Sequence, residues 1–208
     1  MKELEYPFDS SFLLKKRRKL KKDLLADGSQ RMEKRIAVLG GSTTNDIISM
    51  LELFLLNCGI QPAFYQSEYA QYWQDAMFDN PELESFQPDL IFIHTTSRNI
   101  TEAPLPLSAS EQEVRDALER QFSHFSQMWE RLHEVYHCPI IQNNFELPST
   151  RLMGNRDAWD CHGMVWFIQE LNRKFGQYAA SHSDFYLHDL HYLAASYGLD
   201  AWHDDSYW

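Results

Sequence analysis

The sequence has 208 residues, enough for one sizeable domain with a hydrophobic core or for a domain with a short extension. Hydrophobic residues make up 44% of it, which excludes a disordered chain, and 30 acidic residues against 19 basic ones give a net charge of −11. A uniformly acidic body repels phosphate backbones, so we expect no nucleic-acid partner. No apolar run approaches the roughly 20 residues that span a bilayer, and we expect no membrane partner.

Three cysteines, Cys58, Cys138 and Cys161, are odd in number and widely spaced. None of their spacings matches a zinc finger, and they suggest no disulfide framework. We therefore expect reduced thiols and a cytoplasmic location.

The first segment, SSFLLKKRRKLKKDLLADGS, differs in composition from the rest of the chain. Ser10 or Ser11 can cap a helix here, and Gly28 can end it. The leucines that recur at spacings of seven and four are Leu13, Leu20 and Leu24. This stripe fits a peripheral helix packed on the body, and the lysines and arginines also fit a docking surface for an acidic partner or a membrane. We predict a basic helical extension over residues 1–33.

The remaining residues, 34–208, alternate between apolar strands and helical patterns. Strands are predicted in RIAVLGG, IQPAFYQ, DLIFIHTT, CPIIQNN and DFYLHDL. Helices are predicted between them over residues 43–59, 67–78, 108–137 and 160–181, the second of them capped by Ser67. This alternation is typical of a parallel sheet covered by helices on both faces. The sequence predicts a three-layer, flavodoxin-like α/β domain with a parallel sheet in strand order 2-1-3-4-5.

Polar residues stand at the carboxyl ends of the first four strands. In parallel sheets these ends meet at one edge, where ligands bind. We therefore predict one depression at this edge, with Gln66 and Tyr69 lining a pocket. Two roles are open for His94, contact with substrate or a bond to neighbouring backbone. The residues expected to line the depression are Gly41, Ser42, Gln66, His94, Thr95 and Asn143.

Ser42 is the candidate nucleophile. It stands in GGST, where a strand turns into a helix, and the two glycines permit a tight turn and close approach of a substrate. Backbone amides at this turn can bind an oxyanion, and Gly41 and Thr43 flank the serine. The structural alternative is that Ser42, Thr43 or Thr44 caps the next helix.

The C-terminal stretch contains the pattern D-x-x-H, formed by Asp200 and His203. A carboxylate at this spacing can orient an imidazole that takes the proton of a serine. Asp204 is a competing orienter. A half-exposed histidine bonded to a neighbouring carboxylate is the structural alternative.

The other histidines give no metal site. His188 and His191 flank an aspartate but lack a third ligand at a readable spacing. His162 stands beside Cys161, and on a helix adjacent side chains point about 100° apart, so no thiol–imidazole pair is expected. We predict neither a metal nor another cofactor in this domain.

Together, the glycine-flanked serine after the first strand and D-x-x-H after the last resemble the SGNH (GDSL-like) hydrolases. The resemblance implies a triad of Ser42, His203 and Asp200, with Asn99 and the amides of Ser42 and its neighbour binding an oxyanion. The chain departs from the pattern because GGST replaces Gly-Asp-Ser, Gly-x-Asn-Asp is absent, and Gln66 stands where the second-block glycine is expected.

A closer resemblance, to the FkbH-like family, covers nearly the whole chain. It rests on KKRRKLKKDLL, IAVLGGSTT, AFYQSEYAQYWQDAM, PDLIFIHTT, PIIQNNFELP with LMGN, and LDAWHDDSYW. In that family an SGNH-like domain precedes a haloacid dehalogenase-type phosphatase domain, whose DxDxT signature is not found in this sequence. The resemblance implies a role in moving a glyceryl unit from a phosphorylated glycerate onto an acyl carrier protein.

Two functions are therefore expected at the same pocket. The first is an ester or thioester hydrolase or acyltransferase that acts with an acyl carrier protein or on a small acyl or glyceryl substrate. The second is a non-catalytic module that binds the acyl-pantetheine arm or a partner domain. A hydrogen bond between the Ser42 hydroxyl and the His203 imidazole, within about 3.2 Å, distinguishes the first from the second.

Overall fold

A computed structural model of the chain describes residues 1–203. Its centre is a sheet of five strands in which every pairing is parallel, in the order β2-β1-β3-β4-β5. The strands are β1 (Met32–Gly40), β2 (Ile60–Gln66), β3 (Leu90–His94), β4 (Ile140–Asn143) and β5 (Phe185–His188). The predicted α/β fold and strand order are confirmed.

Eight helices connect and flank these strands in the described part of the chain. They are α1 (Ser10–Ala26), α2 (Asn45–Asn57), α3 (Tyr72–Met77), α4 (Pro81–Phe86), α5 (Glu111–Tyr136), α6 (Met164–Ser181), α7 (Leu190–Tyr197) and α8 (Leu199–Trp202). Short 3-10 turns occur at Lys2–Leu4, Ser97–Asn99 and Gly154–Ala158. Among residues 1–203, no helix combines the length and the apolar character that crossing a membrane requires.

Two hydrophobic cores lie on the two sides of the sheet. Because side chains alternate along a strand, Leu39 and Ile93 point to the face that α3, α5 and α6 cover, and they belong to the larger core. On the other side α1 packs against α2 and forms a smaller core, whose members include Leu13, Leu20, Leu24, Leu53 and Leu56. The predicted packing of the leucine stripe of α1 is confirmed.

Two predicted helix caps are wrong. The N-cap of α1 is Asp9, whose carboxylate accepts from the Phe12 amide at 3.0 Å, so Ser10 and Ser11 lie inside the first turn. Ser67 caps no helix, because its hydroxyl accepts from the Gly40 amide at 2.8 Å and continues the pairing of β1 beyond the end of β2. The predicted helix over 67–78 is accordingly shorter and begins five residues later, at α3.

Helix α4 was not predicted, although its sequence carries ordinary start signals. Asn80 is its N-cap and accepts from the Leu83 amide at 3.0 Å, and Pro81 occupies the first helical position. The pattern N-P-E-L-E between two predicted elements therefore marks the start of a helix. The segment is too short for its hydrophobic periodicity to reveal this helix.

Candidate functional site

Ser42 lies immediately beyond the carboxyl end of β1. The Gly41 amide donates to the His94 carbonyl at 2.7 Å, which ties the end of β1 to the end of β3. A Cβ atom on Gly41 would lie 2.4 Å from Asn99 Oδ1, so only glycine permits this approach. Ser42 itself is 8% exposed and lies in the turn that leads to α2.

Asn99 reaches Ser42 through a turn that the sequence did not reveal. The 3-10 turn Ser97–Asn99 folds back over the end of β1, and Asn99 Nδ2 donates to the Gly41 carbonyl at 3.2 Å. Asn99 Oδ1 accepts from the Thr96 amide at 2.8 Å, which fixes the side chain. The second hydrogen of the amide nitrogen remains for a ligand. Asn99 thus contacts Gly41, the residue before Ser42, although it stands several residues after the strand.

A depression of about 360 Å³ opens at Ser42. Gln66 forms one wall and donates to Thr44 Oγ1 at 3.0 Å and to Asn45 Oδ1 at 2.7 Å. Thr44 is the N-cap residue of α2, but its side chain makes no capping hydrogen bond. The lining residues are Ser42, Thr43, Thr44, Asn45, Gln66, Ser67, Glu68 and Tyr69. Three predicted site residues, Ser42, Thr43 and Gln66, therefore share one depression.

The predicted triad is not joined by hydrogen bonds within residues 1–203. His203 Nε2 lies 3.0 Å from the Leu147 carbonyl, which only accepts, so this nitrogen carries the proton. Asp200 is exposed in α8 and makes no hydrogen bond with His203 in the described structure. The Ser42 hydroxyl has no hydrogen-bond partner there either. Asp204, the competing orienter, lies outside the described residues.

Thr95 and Asn143 form a buried layer beneath this edge. Both are fully buried, the Thr95 amide donates to Asn143 Oδ1 at 2.8 Å, and Asn143 Nδ2 donates to the Thr95 carbonyl at 2.7 Å. Gln142 Nε2 donates to Thr95 Oγ1 at 3.0 Å, and Gln142 Oε1 accepts from the Trp129 indole N–H at 3.1 Å. In the described structure these side chains support the site from below and do not line the depression.

His94 stands at the end of β3, outside the set of described residues that line the depression. Burial, with the nearby His188 as a smaller contribution, lowers the pKa of His94 to about 4. The imidazole is therefore neutral at pH 7. It can accept or donate a hydrogen bond but cannot supply a positive charge to this edge.

Glu146 is a site residue that the sequence reasoning missed. It is 5% exposed, and its Oε1 accepts from the Ser97 hydroxyl at 2.8 Å, in the turn that carries Asn99. Its Oε2 is buried without a partner among the described residues. The sequence did contain a signal for this residue: Glu146 is the only charged residue in QNNFELP, a segment that directly follows the end of a strand.

Asp160, Cys161 and His162 come together in a turn before α6. Cys161 Sγ lies 3.6 Å from His162 Nδ1, so the prediction that these side chains diverge is wrong, because it assumed a helix. His162 Nε2 faces the Ala109 carbonyl at 2.9 Å, and Nδ1 faces Asp160 at 2.8 Å. These two acceptors, the carbonyl first, raise the pKa of His162. An imidazole whose two nitrogens both make hydrogen bonds is a poor metal ligand. Through His162 the cluster instead connects the loop before α6 to the loop that contains Ala109.

A larger cavity, of about 410 Å³, lies at the opposite edge of the sheet. Ile140 and Phe185, the first residues of β4 and β5, line it together with Trp129 and Tyr178. Ligands of parallel sheets bind at the carboxyl ends of strands, and none of the predicted site residues lies here. The smaller Ser42 depression is therefore the candidate site.

Comparison with known proteins agrees with this fold. The FkbH N-terminal domain family model matches residues 35–208. The chain is similar to the N-terminal part of BF1531 from Bacteroides fragilis, described as containing a phosphatase domain complexed with Mg, with a TM-score of 0.76 and 15% identity. The match covers 91% of this chain and 49% of that one, so the chain spans about half of that structure.

A second similar structure is BT4096, described as a gut microbial diltiazem-metabolizing enzyme. The TM-score is 0.52 at 13% identity, over 82% of this chain and 39% of that one. Identities this low show the fold alone. No curated protein matches the chain in sequence.

Proposed function

The chain belongs to the family of FkbH N-terminal domains, and we propose that its Ser42 depression receives an ester or thioester carbonyl of an acyl or glyceryl group. The domain is then of the SGNH-like hydrolase or acyltransferase type, and its partner is an acyl carrier protein or a small acyl or glyceryl compound. No cofactor is needed for this chemistry, since serine and backbone amides suffice.

One observation carries the proposal: the Ser42 hydroxyl, which has no hydrogen-bond partner among residues 1–203, directly follows Gly41, whose carbonyl accepts from the Asn99 amide at 3.2 Å. This is the point where the strand order reverses between β1 and β3, and parallel sheets bind ligands there. The uncapped first amides of α2 add positive partial charge on the same side. A carbonyl oxygen placed between these amides and Asn99 would be stabilised as it becomes an oxyanion.

Acyl transfer by Ser42 needs a base. His203 would serve if its ring left the Leu147 carbonyl and offered an unprotonated nitrogen to the Ser42 hydroxyl, with Asp200 orienting the other nitrogen. The serine oxygen would then attack the carbonyl, the proton would pass to the imidazole, and the imidazole would return it to the leaving alcohol or thiol. The catalytic roles of Ser42, Asp200 and His203 are part of the proposal.

The second candidate is a binding module without turnover. It is favoured by the bond from His203 Nε2 to the Leu147 carbonyl, which leaves Ser42 without a base in the described structure. In that case Ser42, Gln66 and Asn99 hold the acyl-pantetheine arm by hydrogen bonds, while chemistry takes place elsewhere.

Slow hydrolysis of p-nitrophenyl acetate separates the two candidates. A nucleophilic Ser42 predicts turnover that Ser42→Ala lowers by several orders of magnitude. Ser181→Ala, on the exposed end of α6, is the matched control and should keep full activity. Turnover that survives Ser42→Ala would contradict the nucleophile, and the absence of turnover in the unaltered protein would favour the binding module.

The domain organisation is proposed on the same basis. In this proposal residues 1–33 are the basic extension, residues 34–208 are the SGNH-like domain, and a phosphatase domain follows in the full-length protein. It is supported by the BF1531 structure, which is described as containing a phosphatase domain and of which this chain covers 49%. We place this protein in the cytoplasm, because its three cysteines form no disulfide in the described structure and are spaced too widely to suggest one.

A further inference from the structure

Helix α1 carries a charge opposite to that of the rest of the chain. Seven of the chain's 19 basic residues lie within its 17 residues, against one acidic residue, Asp23. The helix therefore has a net charge of +6 and the remaining residues together have −17, which add to the −11 of the whole chain. A patch of one sign on a body of the other sign attracts oppositely charged partners and directs them to that patch.

Two of these seven basic side chains are neutralised by α2. Arg17 pairs with Asp46, and Lys21 Nζ lies 2.7 Å from Glu52 Oε2. The other five are exposed and make no ion pair with any residue among 1–203; they are Lys15, Lys16, Arg18, Lys19 and Lys22. Their charge is therefore open to a partner outside this part of the chain.

Two of the exposed cations share one side of α1 with two exposed leucines. Leu14, Arg18, Lys22 and Leu25 follow one another at spacings of four, four and three residues, which places them on one helix face. Leu14 is 53% exposed and Leu25 is 47% exposed. Apolar side chains beside cations offer a protein partner both buried area and charge complementarity. We call these four side chains the basic face.

The basic face lies next to the Ser42 depression. Arg18 lines a second depression, of about 270 Å³, which lies between α1 and α2 and which Asn45 also lines. Asn45 is the first residue of α2 and lines the Ser42 depression as well. The two depressions therefore adjoin at Asn45, and a partner that contacts Arg18 stands beside the opening to Ser42.

We propose that the basic face docks a carboxylate-rich surface of the carrier protein that brings the acyl group to Ser42. The inference rests on the function proposed above, and it adds the surface by which the partner is recognised. Carboxylates of the partner pair with Arg18 and Lys22, while its apolar side chains cover Leu14 and Leu25. The lysines around this face direct the encounter, since a field of one sign raises the rate at which an oppositely charged partner arrives.

An anionic membrane is a poorer occupant of the same face. Helices that lie on membranes insert a broad apolar face into the lipid. The apolar stripe of α1, formed by Leu13, Leu20 and Leu24, is at most 5% exposed because it packs with α2 in the smaller core. The basic face itself offers two leucines for insertion. A membrane is also wide enough to meet the residues outside α1, whose negative charge it repels, whereas a small protein can contact α1 alone.

Binding of an acidic helical peptide to the 208-residue chain tests the proposal. The probe is a fluorescein-labelled peptide with glutamates beside a stripe of leucines, and a second peptide with glutamine at every glutamate position is its control. In fluorescence anisotropy the acidic peptide should bind saturably, with an affinity about tenfold above that of the control peptide. Raising the NaCl concentration from about 50 to about 300 mM should remove most of this difference, because salt screens exposed charges.

Charge reversal locates the binding surface. Arg18→Glu combined with Lys22→Glu should weaken binding of the acidic peptide by about tenfold. Arg131→Glu combined with Arg151→Glu is the matched control, because both residues are exposed cations outside α1 and the net charge changes equally. This control should change the affinity by less than about twofold. In NMR spectra of the unaltered chain, the backbone amides of Arg18 and Asn45 should shift as the acidic peptide binds.

Equal binding of the two peptides, equal effects of the two charge reversals, or shifts that omit Arg18 and Asn45 would overturn the proposal. Binding to phosphatidylserine vesicles and not to the acidic peptide would overturn it too, because the basic face would then serve a membrane. The peptide carries no thioester, so its binding does not depend on Ser42. A negative result here therefore leaves the ester assay unaffected, and a negative ester assay leaves the peptide result unaffected.

Discussion

Replacing Asn143 by alanine should destabilise the protein by about 4–6 kcal/mol. The substitution removes three hydrogen bonds, one from the Thr95 amide and two to the Thr95 and Asn144 carbonyls, at about 1 kcal/mol each. It also leaves the Thr95 amide buried without a partner, which costs about 1–3 kcal/mol. Because a domain is stable by only about 5–15 kcal/mol, the midpoint of thermal unfolding should fall by about 10 °C.

Urea unfolding followed by circular dichroism measures this loss. The matched control is Asn155→Ala, since Asn155 is exposed and its side chain makes no hydrogen bond among the described residues; it should change stability by less than about 0.5 kcal/mol. If both substitutions cost the same, or Asn143→Ala costs less than about 1 kcal/mol, the buried network does not support the edge of the sheet.

Three further substitutions or titrations test other parts of the structure. Gly41→Ala should lower the free energy of unfolding in urea by about 1–3 kcal/mol, because the new Cβ displaces Asn99. Gly176→Ala, with open space around it in α6, should be neutral or stabilising. Equal effects of the two substitutions would contradict the close approach of Gly41 and Asn99. The lowered pKa of His94 predicts an NMR titration midpoint of about 4. The free energy of unfolding should be highest above about pH 6.5 and should fall by about 3 kcal/mol as the pH decreases toward 4, because the unfolded chain binds the proton more readily. A midpoint near 6.5 would refute the burial of His94. Leu20→Ala should cost about 2–5 kcal/mol if α1 is part of the folded domain, and a loss below about 1 kcal/mol would show that α1 is detached.

The fold was predictable because its signals are local and repeated. Strands buried on both faces, such as IAVLG, are apolar throughout. Each is followed by a helix pattern, and the two signals together specify a parallel sheet. The leucine spacing of α1 gave its buried face correctly. The start of α5 was also readable, since Ser110 and Glu113 form a capping box.

Other features depended on contacts between distant residues. Ser67 has the sequence pattern of a helix cap, but its hydroxyl instead accepts a hydrogen bond from the Gly40 amide of β1. The turn that brings Asn99 to Gly41 is held partly by Glu146, 49 residues away from Ser97 in sequence. Neither contact has a periodic signature.

The most direct test of the account is an NMR titration of the 208-residue chain with S-acetyl-pantetheine. The Ser42 depression predicts that the backbone amides of Gly41 and Ser42 and the side-chain amide of Asn99 shift together and saturate. Unchanged signals at these three groups, or shifts confined to the cavity beside Trp129 and Tyr178, would contradict the claim that the thioester binds at Ser42.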